Sequence, residues 1–411
     1  MKKIYVLFLV AFVLSCLIIG CVDEPIDPVY DPNDKGGPTP NITGITPEGA
    51  AYASYNDIVL RGQNFSPVDT HNFVYFNTTK VPVKSASPTE LTVVAPNIVG
   101  DEINIKVAVM GAQLFSNSIK YKILPTFIEL SGGYTAADAF YAIETDVNGN
   151  LYVNIETGTT GRVDKISPDG NVTQYATLGF GLSYGMRFGP DGTLWFTRRS
   201  TIISKVPPGV DRSSNLSSSL VSGYTFYDLD FDKNGNMWVV GYHSTAAQRR
   251  IIKMKDSTVT GNYTFNARFR AVKVFNDYLY VAGLDGADGD KTKIWRAPIN
   301  GSADLGNFEL YYDWSAKYTS AINSLTIAAD GTIYVGTDGP NSETIIAISP
   351  NKVASSLYPN DMSRSTFNVS WGSNSQYIYV SRRAAASGGS ALNKILKIYM
   401  GKEGAPYYGR K

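Results

Sequence analysis

The stretch Ala142-Ile143-Glu144-Thr145-Asp146-Val147-Asn148-Gly149-Asn150-Leu151-Tyr152-Val153 decides the fold of this chain, because it recurs. An Asn-Gly or Asp-Gly pair followed by an apolar-aromatic-apolar strand returns at Asp191-Gly192-Thr193-Leu194-Trp195-Phe196, at Asn234-Gly235-Asn236-Met237-Trp238-Val239 and at Asp330-Gly331-Thr332-Ile333-Tyr334-Val335. Looser copies read Asn276-Asp277-Tyr278-Leu279-Tyr280-Val281 and Ser375-Gln376-Tyr377-Ile378-Tyr379-Val380. Successive aromatic positions lie 43, 43, 42, 54 and 45 residues apart, close to the length of one four-stranded propeller blade. The Asn-Gly and Asp-Gly pairs supply the positive φ of a tight hairpin between the first two strands of each unit. A third strand follows in most copies, as in Ile251-Ile252-Lys253-Met254 and Ile345-Ile346-Ala347-Ile348. One unit cannot bury both of its faces, so a closed ring of six is the physical solution.

On these residues the region from 125 to 411 resembles the NHL-type six-bladed β-propeller. Phe127-Ile128-Glu129-Leu130, ahead of the first copy, is placed to supply the outer strand of the last blade and close the ring. The longer gap between the fourth and fifth copies holds Leu284-Asp285-Gly286-Ala287-Asp288-Gly289-Asp290, expected to be an enlarged loop.

Upstream, short alternating apolar runs separated by turn signals show the spacing of a β-sandwich: Ile58-Val59-Leu60, Phe73-Val74-Tyr75-Phe76, Leu91-Thr92-Val93-Val94, Ile103 to Val109 and Ile119-Lys120-Tyr121. Within them, Ile42-Thr43-Gly44-Ile45-Thr46-Pro47, then Leu60-Arg61-Gly62-Gln63-Asn64-Phe65-Ser66, then Ser87-Pro88-Thr89-Glu90-Leu91-Thr92-Val93-Val94-Ala95-Pro96, resemble an IPT/TIG immunoglobulin-like domain over 41–124. Gly62 suits a turn needing positive φ, with Phe65 entering the core. The resemblance implies a spacer between an anchor and a terminal binding domain. The expected fold class is all-β, an N-terminal immunoglobulin-like sandwich followed by a six-bladed propeller.

Composition supports that class. The chain has 38 Gly, 27 Tyr and 18 Phe but only 18% charged residues, so it is poor in charged helix formers and rich in turn-makers and β-favouring aromatics. With 37 Lys plus Arg against 36 Asp plus Glu, the net charge of +1 removes the electrostatic case for a nucleic-acid partner.

The N-terminus gives an address. Lys2 and Lys3 precede an apolar run from Ile4 to Ile19, then Gly20-Cys21, the pattern of a secretory signal too short for a comfortable span. Leu17-Ile18-Ile19-Gly20-Cys21 resembles a bacterial lipobox, which implies cleavage after residue 20 and lipidation of Cys21. Residues 21–40, rich in proline and acids, then form an extended tether. Acidic residues directly behind a lipidated cysteine resemble the export signal of Bacteroidetes surface lipoproteins. This implies an outer-membrane lipid anchor with exposure at the cell surface.

Counting back from each repeated aromatic reaches the start of the innermost strand, nearest the central channel: Tyr141, Tyr184, Tyr227, Phe269, Asn323 and, with one residue inserted, Phe367. Aromatic faces with polar neighbours such as Asp228, Arg270, Ser324 and Asn368 suit stacking against sugar rings at a propeller mouth; the alternative is that these rings wedge adjacent blades and are core. Trp195 and Trp238, at the repeated second-strand position, read as packing, while Trp314 is the best exposed tryptophan for a ligand. Asp285, Asp288 and Asp290 offer oxygens to calcium, without the glutamate that would complete an EF-hand-like loop; a polar loop is the simpler reading, and no cofactor is expected otherwise. The two histidines, His71 and His243, make no zinc site, and there is no GxSxG elbow, P-loop or nucleophilic cysteine. A propeller mouth can still gather carboxylates from distant blades, for instance Glu144, Asp228 and Asp230, which keeps hydrolase or lyase chemistry open. The layout of anchor, spacer and aromatic-bearing terminal domain resembles the surface glycan-binding lipoproteins that accompany Sus-type outer-membrane importers. It implies capture of a glycan or other extracellular ligand for an uptake system, the rivals being a propeller enzyme and a protein-interaction scaffold of the envelope.

Overall fold

The computed structural model describes residues 36–216, 221–301, 304–340, 343–359, 362, 365–373, 375–383 and 393–410. The expected signal peptide, Cys21 and most of the tether lie outside the described residues. Two compact units meet between Leu124 and Pro125. Among the described residues, helical geometry is confined to two single turns, Asp69–His71 and Ala246–Gln248, and no helix is long and apolar enough to cross a membrane.

The first unit is an immunoglobulin-like sandwich. A four-stranded sheet (Asn41–Thr46, Asp57–Gln63, Glu90–Val94, Val83–Ser87) faces a five-stranded one (Ala50–Tyr52, Ile119–Leu124, Gly100–Val109, Asn72–Phe76, Thr79–Val81). Period-two alternation sends Ile58, Leu60, Leu91 and Val93 from one sheet, and Val74, Phe76, Ile105 and Val107 from the other, into one buried layer. The turn before Phe65 departs from expectation. Asn64 takes the positive φ, 61°, while Gly62 is needed for space: a Cβ there would stand 2.1 Å from the Asn41 carbonyl oxygen and 2.5 Å from the Phe65 ring. Asn can adopt the left-handed region because its short polar side chain tolerates it, which leaves glycine for the close approach.

The second unit is a six-bladed propeller. Its sheets are four-stranded and antiparallel, spanning 138–178, 185–215, 224–264, 267–313 and 322–356 for blades 1 to 5, with blade 6 built from 366–399 and the strand Phe127–Glu129. That strand pairs with Lys394–Tyr399, placing Phe127 opposite Ile398 and Glu129 opposite Leu396, so the first strand of the unit completes the last blade as expected. Inner strands of consecutive blades touch all the way round, including blade 6 to blade 1. Apolar layers fill the spaces between blades, as where Trp195, Leu229, Phe231 and Val239 meet. Trp195 and Trp238 are buried in these layers.

The hairpin glycines Gly149, Gly192, Gly235 and Gly331 have φ between 76° and 83°, a region open to them because they lack a Cβ. Aspartates fix two of these turns. Asp232 accepts hydrogen bonds from the Asn234 and Asn236 amides, the Asn236 side chain and Trp238 Nε1, and Asp146 does the same for Asn148, Asn150 and the Tyr152 hydroxyl. The aspartate thus ties the turn to the aromatic that packs the blade. The expected loop at 284–290 is a tight turn between two long strands, Tyr278–Asp285 and Lys291–Pro298. The extra length falls mainly at 299–308 and 314–321, either side of the strand Glu309–Asp313.

Asp232→Ala removes several buried hydrogen bonds at once, each contributing roughly 0.5–1.5 kcal/mol net. Urea titration followed by tryptophan fluorescence is expected to show a loss of about 2–4 kcal/mol; a loss below about 1 kcal/mol would mean that the turn holds without it.

Candidate functional site

In every blade one inner-strand residue lies directly opposite the repeated aromatic. Glu144 faces Tyr152, Arg187 faces Trp195, Asp230 faces Trp238, Lys273 faces Tyr280, Thr326 faces Tyr334 and Ser370 faces Tyr379. All six line one narrow cavity of about 40 Å³ in the central channel. Their charges are paired there. Arg187 lies 3.2 Å from Glu144 and 3.8 Å from Asp230, and Lys273 lies 3.8 Å from Asp228. The Asp230 and Asp228 carboxylates also accept the backbone amides of Val274 and Val272 at 2.8 and 3.0 Å.

Burial would raise the Glu144 carboxyl, but Arg410 and Arg187 outweigh it and hold it below its ordinary value. Asp230 goes the other way: burial raises it, and Lys273 and Arg187 offset this only in part. Burial and the neighbouring Arg187 lower Lys273. The carboxylates Glu144, Asp228 and Asp230, considered from sequence as acid or base groups, are therefore engaged in the packing of the channel.

Residues 403–410 cover the channel at the C-terminal ends of the inner strands. The Ala405 amide donates to the Ile327 carbonyl (2.9 Å), the Tyr407 hydroxyl to the Phe188 carbonyl (2.7 Å), and Arg410 to the carbonyls of Thr145 and Trp371 (2.7 Å each) and to Glu144. This end is closed by the chain itself.

The other end is open. Three residues before each channel residue stand Tyr141, Tyr184, Tyr227, Arg270, Asn323 and Phe367. Residues three apart on a regular strand point to opposite faces, and here the strands are irregular at this point. The register shifts between Phe140 and Ile143, across Tyr227, across Arg270, across Asn323 and across Phe367. A β-bulge re-aims a side chain in this way. In blade 2 Tyr184 sits just before the strand, its amide bonded to the Thr197 carbonyl at 2.8 Å.

Five of these six, with Arg199, line a cup of about 130 Å³: Tyr184, Tyr227, Arg270, Asn323 and Phe367. The Tyr184 ring lies 5.3 Å from both Tyr227 and Phe367. Arg199 approaches the Tyr184 hydroxyl at 3.5 Å, and Asn323 is fixed by donating to the Thr366 carbonyl at 2.9 Å. Tyr141 stands behind the cup, its ring edge-on to Phe367 at 5.2 Å, its hydroxyl bonded to Glu156 and Arg383 over its face at 4.6 Å. Burial raises the Tyr227 hydroxyl above its ordinary range, with Arg199 and Arg270 opposing.

Three expectations are corrected. Phe269 is not at the mouth: the hairpin of blade 4 turns through Asn276 and Asp277 alone, both at positive φ, which shortens the count by one residue and brings Arg270 into the cup. Phe269 is buried against Phe265 and Trp295. Trp314 is buried, its indole N–H donating to the Ser320 carbonyl at 2.7 Å, and cannot meet a ligand. Asp285 and Asp288 both grip Lys293, at 2.9 and 2.7 Å, and Asp290 pairs with Arg268, so protein cations hold the oxygens considered for calcium. Among the described residues no three His, Cys, Asp or Glu are grouped to hold a metal ion. Arg199 was missed because it lies after the second strand of blade 2, off the repeat; its φ of 53° leaves no trace in sequence.

Residues 40–123 match the IPT/TIG domain family model, so the sandwich is an IPT/TIG domain. A search of curated proteins finds no match to this sequence. Among solved structures the chain is similar to an auxiliary nutrient binding protein from Bacteroides thetaiotaomicron, at 12% identity and a TM-score of 0.51 over 90% of this chain and 98% of that one. A protein of the same organism described as a candidate phosphatase gives 11% identity and a TM-score of 0.56 over 88% and 97%. An auxiliary nutrient binding protein from Bacteroides ovatus gives 13% identity and a TM-score of 0.48 over 90% and 99%. At such identities the likeness shows the fold alone: a sandwich-plus-propeller chain of this length is a shared architecture.

Glu144→Gln leaves the buried Arg410 without its acid and Arg187 with only the more distant Asp230. At pH 7 the expected cost is about 3–5 kcal/mol. Because the folded carboxyl is held below its ordinary value, its stabilisation is full above the unfolded pKa of about 4.3 and is lost as pH falls towards the folded one. The gap between wild type and variant in thermal melts is therefore expected to narrow below about pH 4; a gap independent of pH would assign the effect to shape.

Proposed function

We propose that this is a binding protein of the bacterial cell envelope, and that the cup lined by Tyr184, Tyr227, Arg270, Asn323, Phe367 and Arg199 captures an extracellular saccharide for uptake. The observation that carries the reading is the cup itself. Three aromatic rings from three blades surround one concavity, with two guanidinium groups and an amide held by the Thr366 carbonyl on its wall. Aromatic faces stack on the C–H faces of sugar rings, and the polar groups set orientation. The similarity to a Bacteroides protein named for nutrient binding supports the same direction.

In this reading residues 1–20 are a signal peptide, Cys21 carries a lipid anchor in the outer membrane, 21–40 is the tether, 41–124 the spacer and 125–411 the binding propeller. An outer-membrane importer is the partner to which ligand passes. Cys21→Ser is then expected to move the protein from the membrane fraction to the soluble fraction and to abolish labelling by a clickable palmitate analogue. Unchanged fractionation and labelling would rule out the anchor.

The site is tested with the chain from Val22 onward on an array of plant, host and microbial polysaccharides. Tyr184→Ala and Phe367→Ala are expected to weaken a specific hit at least tenfold while shifting the melting temperature by only a few degrees. A large fall in melting temperature would assign the rings to the core. A blank array with the wild type would turn the search to envelope proteins, by pull-down from outer membranes.

A further inference from the structure

The cup has an electrostatic imbalance. Of its six lining residues two are arginines and none is acidic. Elsewhere in the propeller, Arg162, Arg187, Arg268, Arg296 and Arg410 each hold a carboxylate, while Arg249 and Arg250 bond to carbonyl or amide oxygens and Arg198 lies over the Phe180 ring. In the cup, Arg199 touches only hydroxyl and ring, the Tyr184 hydroxyl at 3.5 Å and the Tyr227 face at 5.9 Å. Arg270 makes no side-chain hydrogen bond or ion pair with any described residue. A third guanidinium, Arg383, lies over Tyr141 beside Phe367. The nearby acid, Glu156, is tied to the Tyr141 hydroxyl. In a protein whose net charge is only +1, this is a local concentration of positive charge.

Resting on the saccharide reading, we infer that the ligand presents a negatively charged terminal ring, a sugar bearing a carboxylate, which Arg199 and Arg270 hold while Tyr184, Tyr227 and Phe367 pack its faces. The planar guanidinium fork matches a carboxylate in a bidentate fashion, and a charge-assisted pair is roughly twice as strong as a neutral hydrogen bond. The two arginines come from different blades, Arg199 after the second strand of blade 2 and Arg270 on the bulge of blade 4, so they approach the cup from separate sides. Arg270 is half-buried and Arg199 exposed, so the gain from reduced screening in a concave site falls mainly to Arg270. At about 130 Å³, close to the roughly 150 Å³ apolar cavity that accommodates benzene, the cup has room for one sugar ring, with any further residues of a polymer lying outside it.

The test is isothermal titration of the chain from Val22 onward with glucuronic acid, galacturonic acid and N-acetylneuraminic acid, with glucose and galactose as neutral counterparts, and with glucose 6-sulfate and benzoate. Acidic sugars are expected to bind at least tenfold more tightly than neutral ones and to weaken as sodium chloride rises from 50 to 500 mM. Arg270→Gln and Arg199→Gln should each erase most of that preference, weakening acidic sugars at least tenfold more than neutral ones, and Arg270→Lys should keep part of it. Equal affinity for neutral and acidic sugars, or a preference that survives both substitutions, would overturn the inference and leave saccharide capture standing. Binding of the sulfate but not of the carboxylates would overturn the carboxylate assignment. Binding of benzoate with no sugar of either kind would overturn the saccharide reading while upholding recognition of a carboxylate on a ring. No binding by any probe would overturn both.

Discussion

The propeller depends on three residues pairing across nearly the whole length of its sequence. Phe127–Glu129 hydrogen-bonds to Lys394–Tyr399, and without that pairing the sixth blade would keep only three strands and lose its tie to the segment that leads into blade 1. An open ring would expose the apolar layer on either side of the gap and leave six inner strands free to splay. Loop closure over a segment this long costs entropy that grows only slowly with length, whereas a lost interface would cost the burial of a full layer of side chains. Closure is therefore cheap relative to what it protects. The positions of the cup residues follow from it, since a ring of fixed circumference sets how far the blades lie from one another across the channel.

Much of this was legible in the sequence because it repeats. The Asn-Gly and Asp-Gly turns, the aromatic three residues after each glycine and the near-constant spacing reflect local chemistry, and local chemistry is written in consecutive residues. The closing strand was legible for the same reason, as an apolar run with no blade of its own. The sandwich could be read from alternation, although the reason for Gly62 could not: crowding by Asn41 and Phe65 is a tertiary fact, and sequence offers only the glycine.

The cup was legible in part. Tyr184, Tyr227, Asn323 and, with one residue inserted, Phe367 could be reached by counting, because the inner strand starts at an equivalent place in each repeat, whereas Arg270 was legible only as the polar neighbour of Phe269. Phe269 was misassigned because a hairpin shorter by one residue leaves the strand pattern intact while shifting the count, and only backbone angles reveal the difference. Trp314 failed for another reason. Exposure of an aromatic outside the repeat depends on how an irregular segment folds back, and the hydrogen bond that buries its indole goes to Ser320, a residue with no pattern to announce it. Arg199 could not be found by counting at all, since it lies on a loop and enters the cup through a left-handed backbone conformation.

The two ends of the channel differ in kind. One is lined by rings and guanidinium groups; the other is filled by residues 403–410, with a tight ring of paired charges between them. The propeller is consequently a vessel with one door and not a conduit. Whatever enters must leave by the same opening, so arrival and departure compete for a single aperture, and a second molecule cannot push the first out from behind. In such an arrangement the useful lifetime of a bound molecule is set by how readily it lets go. A receiving protein would have to wait beside the rim for spontaneous release, or draw out whatever part of the ligand protrudes.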